Sequence, residues 1–123
     1  MTKTVLDVGN CVPDNSAITA LIEGNFDAQV VQAHGPEDAL QALRSRQIDL
    51  VLINRKLDRD HSDGIEIIKA MKADGSSAKV PVMMLTNLEE HQQLAIATGA
   101  ERGFGKSQLD DAETLERLRT FLE

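Results

Sequence analysis

Hydrophobic and polar positions follow two periods that take turns along the chain. Thr4 to Val8 reads as a short strand, and Pro13-Asp14-Asn15 supplies turn and N-cap chemistry for a helix with Ile18, Leu21 and Ile22 on its buried stripe. Gly24-Asn25 stops that helix. Gln29 to Ala33 alternates as a second, less buried strand, and Pro36-Glu37-Asp38 opens a helix carrying Ala39, Leu40 and Leu43. Ile48 to Ile53 (IDLVLI) is nearly continuous hydrophobe, as expected of a central parallel strand covered on both faces. Ile65, Ile68 and Met71 then recur at helical spacing until Asp74-Gly75-Ser76-Ser77. Val80 to Leu85 (VPVMML) is a second buried strand, followed by a helix from Leu88 to Thr98, a strand from Arg102 to Phe104, and a helix with Leu115, Leu118 and Phe121. Five such strand-helix units predict an α/β fold, a doubly wound parallel sheet with helices on both faces.

In an open parallel sheet, ligands and reactions sit at the carboxyl ends of the strands. That leaves few residues to consider: Gly9, Asn10 and Cys11; Asn54 and Arg55; Thr86 and Asn87; Lys106 and Ser107.

Composition narrows the function. The 123 residues suit one domain, with no linker or repeat. Thirteen Lys and Arg against 20 Asp and Glu give a net charge of -7, which argues against nucleic acid or an anionic membrane as partner. A lone cysteine builds no disulfide framework, and no apolar run approaches the ~18 residues of a membrane span or a secretory signal, so a cytoplasmic protein is expected. Without Trp or Tyr, and with only Phe26, Phe104 and Phe121, the chain lacks the aromatics on which flavins and single-stranded nucleic acids stack.

Three segments, in this order and spacing, give the chain its likeness to a family. IDLVLIN resembles a third strand ending in a phosphoacceptor, PVMMLTN a fourth strand ending in a hydroxyl residue, and ATGAERGFGKS the run that leads to a lysine. The chain resembles, over essentially all of residues 1–123, the receiver (CheY-like) domain of two-component response regulators. The resemblance implies a three-layer (βα)5 flavodoxin-like fold of strand order 2-1-3-4-5. It also implies signalling through a protein partner, a histidine kinase or a downstream effector.

The family's reaction needs an acidic pair after strand one and an aspartate after strand three, which together bind magnesium; the aspartate then takes the phosphoryl group. This chain departs at each position. The phosphoacceptor position is Asn54, a neutral amide that cannot form an acyl phosphate, and the acidic-pair positions are Gly9 and Asn10. Thr86 and Lys106 are retained, so these positions sum to about +1, a poor match to a divalent cation, and no magnesium is expected. Thr86 and Lys106 either still bind an anion or, the favoured reading, hydrogen-bond Asn54 and Asn10 and hold the strand ends together. The family's switch aromatic falls at Gly103, which has no side chain to swing. An atypical, phosphorylation-independent receiver follows, a protein-interaction module and not an enzyme. Its surface would be the last two helices and strand five, where a homodimer could also form.

The alternative keeps phosphorelay by way of a displaced carboxylate, Asp58 or Asp7. Asp58, with Asp60 and Asp63, lies in LDRDHSDG, which reads as a solvated turn with Asp63 near the next N-cap. Asp7 stands inside strand one; it either reaches water near the sheet edge or turns toward Lys106. AERGFGKS, from Ala100 to Ser107, fits a relaxed phosphate-loop pattern only formally, since Glu101 would put a negative charge inside the loop and Phe104 reads as a buried strand residue. His34, His61 and His91 lack metal spacing, and Cys11 has no activating neighbour in sequence.

Overall fold

The computed structural model describes residues 2–123. Strand and helix alternate as β1 (Lys3–Val8), α1 (Val12–Asn25), β2 (Ala28–Ala33), α2 (Pro36–Ser45), β3 (Leu50–Asn54), α3 (Gly64–Ala73), β4 (Val82–Leu85), α4 (Glu89–Thr98), β5 (Glu101–Phe104) and α5 (Ala112–Leu122). All strand pairs are parallel and the order is β2-β1-β3-β4-β5, the doubly wound arrangement expected. The switch in strand order opens the crevice beside β1 and β3, at the carboxyl edge of the sheet.

Alternation along the buried strands builds two cores, one on each face. Val5, Leu50, Leu52, Met83 and Phe104 pack on Ile18 and Ile22 of α1 and Leu118 and Leu122 of α5. Leu6, Val8, Val51, Ile53, Val82 and Met84 face Leu43 of α2, Ile67, Ile68 and Met71 of α3, and Ala95 of α4.

Three expectations shift in register. The stripe of α5 is Thr114, Leu118 and Leu122, not Leu115, Leu118 and Phe121, because the Thr114 hydroxyl donates to the Gln108 carbonyl at 2.7 Å and turns that face inward. Ile48 is buried but precedes β3, and β4 starts only at Val82. Between β3 and α3, LDRDHSDG is a turn with exposed Asp58, Asp60 and Asp63, yet Leu57 at its start is buried beneath the end of β1. Asp63 precedes α3 without capping it through its side chain and pairs with Lys56 at 3.4 Å.

Candidate functional site

The carboxyl ends of β3 and β4 and the segment after β5 enclose a cavity of about 290 Å³, lined by Asn54, Arg55, Lys56, Thr86, Asn87 and Lys106 among others. Of the strand-end residues the topology singles out, Asn54, Arg55, Thr86, Asn87 and Lys106 line the cavity while Gly9, Asn10, Cys11 and Ser107 do not, and no carboxylate lines it. Asn54 closes β3, and its Nδ2 donates to the Gly9 carbonyl at 3.0 Å. The Asp58 backbone N–H donates to the same carbonyl at 2.9 Å, so both lone-pair directions of Gly9 O are used. Gly9 has φ 77°, and a Cβ there would lie 2.3 Å from Leu57 Cδ2. Both the left-handed backbone and the buried Leu57 therefore demand glycine at this position.

Behind the cavity lies a polar cluster. Asp7 is fully buried on β1, between β2 and β3, which overturns the expectation that it reaches water near the sheet edge. It shares a face of β1 with Val5, which packs on α1 and α5, and its carboxylate accepts from Asn15 Nδ2 of α1 at 2.7 Å and from Asn10 Nδ2 in a closer contact. Burial pushes the Asp7 carboxyl above its ordinary value, and the two amides and the attraction of Lys106 only partly offset this. Asn10 is itself buried, and its Oδ1 has no hydrogen-bond partner among the described residues.

Lys106 does not bond Asn54 or Asn10. Its Nζ donates to Asp14 Oδ2 on α1 at 2.7 Å, an ion pair whose side chains are about one-third exposed. This contact holds the Asp14 carboxyl below the usual carboxylate range. Thr86 Oγ1 likewise turns to its own chain and accepts the Leu88 N–H at 3.2 Å, since that amide opens α4 and lacks a helical partner. The aligned positions alone sum to about +1, but Asp14 neutralises Lys106, Asp7 stands behind it, and Arg55 and Lys56 add positive charge at the mouth. Replacing Asp14 by asparagine is expected to cost under about 1 kcal/mol in urea unfolding, because water screens a partly exposed pair. A loss above roughly 2 kcal/mol would mean that water is excluded from the pair.

Gly103 lies on β5 where the resemblance puts an aromatic, and its N–H donates to Gln92 Oε1 of α4 at 2.9 Å. Asp14, Asn15 and Gln92 are the site residues that motif reading missed. Gln92 did carry a signal, for it shares with Ala95 the inward stripe of α4. Cys11 is half-buried before the first turn of α1. Asp58 touches the site through its backbone while its side chain is exposed. Among the described residues no three His, Cys, Asp or Glu side chains gather as a metal would require, and no helix is long and apolar enough to cross a membrane.

Known proteins of this fold agree with the topology. A Chloroflexus aurantiacus protein assigned as a response regulator superposes with a TM-score of 0.86 at 20% identity, covering 98% of each chain. The BeF3-activated N-terminal receiver domain of Klebsiella pneumoniae RstA gives 0.81 at 23% identity, covering 98% of this chain and 99% of that one. Vibrio cholerae chemotaxis protein CheY4 gives 0.81 at 22% identity, with 99% and 100% covered. No curated protein sequence matches the chain. The sequence model of the response regulator receiver domain matches residues 12–119, from the start of α1 into α5, and the chain therefore belongs to the receiver-domain family of two-component signalling.

Proposed function

We propose that this receiver domain works without phosphoryl transfer, as a protein-interaction module whose recognition face is set by folding alone. The observation that carries the reading is Asn54. At the end of β3, where acyl-phosphate chemistry needs an ionised carboxylate, stands a neutral amide already donating to the Gly9 carbonyl.

The residues present also fit a magnesium ion poorly. Gly9 offers no side chain, Asn10 directs its amide nitrogen to Asp7, and Lys106 places a cation beside the crevice. Magnesium takes oxygen ligands in near-octahedral array, and these groups supply too few. The function is accordingly read as binding, not catalysis, in the cytoplasm. Receiver domains engage proteins such as kinases and effectors. Here the surface of α4, β5 and α5 suits such a partner or a second copy of the chain, since Leu88, Leu94 and Ile96 are exposed at or along α4.

Incubation with acetyl phosphate and magnesium, followed by intact mass measurement, tests the reading. The expected spectrum is that of the unmodified chain. A stoichiometric gain of about 80 Da, one phosphoryl group, mapped to Asp58, Asp7 or another carboxylate would overturn it and favour phosphorelay at a displaced acceptor.

A further inference from the structure

β4 and β5 do not pair evenly. Met83 stands opposite Glu101 and Leu85 opposite Phe104, so β5 spends one more residue than β4 over the same stretch, a bulge at Arg102 and Gly103. A bulge leaves ladder groups without strand partners, and buried backbone groups must find others. A single side chain supplies them. Gln92, 3% exposed on α4, donates through Nε2 to the carbonyls of Met84 at 3.0 Å and Thr86 at 3.3 Å, and accepts the Gly103 N–H through Oε1 at 2.9 Å. Donor and acceptor both suit a primary amide, and an aliphatic side chain could satisfy neither.

We propose that Gln92 is a positioning residue that clamps α4 to β4 and β5 and so holds the α4–β5 face in one arrangement. The inference rests on the phosphorylation-independent reading and gives it a structural means. Thr86 is held from two sides, its carbonyl by Gln92 and its hydroxyl by the Leu88 N–H, so this part of the cavity wall is tied into α4. A second tie lies on the surface, where Arg102 of β5 grips Glu89 of α4 through both guanidinium ends. The clamp and Gly103 form one unit, since the amide fills the gap that the bulge opens.

Residue-resolved amide hydrogen exchange on the full chain reads this directly. In the unmodified protein, Gly103 N–H and the Gln92 side-chain NH2 should exchange as slowly as the amides of β1 and β3. Fast exchange at either would overturn the proposal without any variant. In Gln92→Met, close in size and apolar, exchange at Gly103 and along α4 should quicken about tenfold to a hundredfold beyond the change at β1 and β3. Uniform change across all elements would reduce Gln92 to a general packing residue. Gln92→Glu supplies the rescue: its protonated carboxyl can still donate, so α4 should be protected at acidic pH and released as the carboxyl ionises. Exchange in Gln92→Glu that ignores this titration would also overturn the clamp. Because none of these readouts involves phosphate, they stand apart from the acetyl phosphate result.

Discussion

Replacing Gly103 by alanine is expected to lower stability by about 2–3 kcal/mol, a drop in Tm of roughly 10 °C for a chain of this length. An added Cβ would sit 2.2 Å from the Met84 carbonyl oxygen and 3.2 Å from Met83 Cβ. The first of these is backbone and cannot rotate away. Met83 and Met84 are paired on their other side with Leu52 and Ile53 of β3, so retreat would open the central sheet. The same chemical change has the opposite sign at Gly24. There an added Cβ meets nothing within 4 Å, and alanine at this exposed position of α1 should stabilise by up to about 1 kcal/mol. Thermal unfolding of the two variants side by side checks both. A Gly103→Ala protein within 2 to 3 °C of the parent, on the order of 0.5 kcal/mol, would mean that β4 and β5 are not in such close approach.

The contrast explains how much of the site the sequence could convey. Gly103 stands where the resemblance puts a switch aromatic, and in the sequence its lack of a side chain is the reason that none can swing there. The bulge supplies a stronger reason: any side chain at 103 collides with β4, and the space beside it is already taken by Gln92. Register irregularities arise between strands far apart in sequence, so no local pattern announces them. The strands themselves were legible because Leu50 to Ile53 and Val82 to Leu85 are buried on both faces, and that constraint is written in consecutive residues. Bounds were less so, since Ile48 and Val80 are apolar without being in strand.

The polar contacts show the same division. Asn54, Thr86 and Lys106 fall at the carboxyl ends of their strands or just beyond because strand ends are fixed by topology. Their partners are not. Lys106 meets Asp14 across 92 positions of chain, and α1 places that carboxylate within reach only once Ile18 and Ile22 have docked on the sheet. Asp7 was legible as an anomaly in a strand, but its burial was not, because the two amides that receive it belong to the β1–α1 turn and to α1.

Asp7 provides the other large effect. Its carboxyl titrates above 3.8 in the folded chain, because burial penalises the ionised form. The folded state therefore binds a proton more tightly than the unfolded state, and Asp7's contribution becomes less favourable as pH rises from 3.8 through the raised value. The full penalty is present above that raised value. Asp7→Asn removes it and keeps the shape. The new Oδ1 can accept from Asn15, and once the Asn10 amide turns over, the new Nδ2 can donate to Asn10 Oδ1, so the number of hydrogen bonds is kept. Relieving a buried carboxylate of its charge contributes on the order of 1 kcal/mol or more, so the variant should be more stable than the parent at neutral pH. The advantage should shrink as the solution is acidified toward 3.8, where the parent's Asp7 is protonated in the fold. Asp14 and Glu89, held low by Lys106 and Arg102, make both proteins less stable in acid, and their effect largely cancels in the difference. Urea unfolding of parent and variant across this range gives the difference directly. A variant less stable at neutral pH, or a gap that widens on acidification, would mean that Asp7 is held ionised by Lys106 and belongs to the cationic side of the crevice. A narrowing gap makes Asp7 a buried, strained carboxylate, set behind the strand end by Asn10 and Asn15 and poorly suited to take up phosphate in place of Asn54.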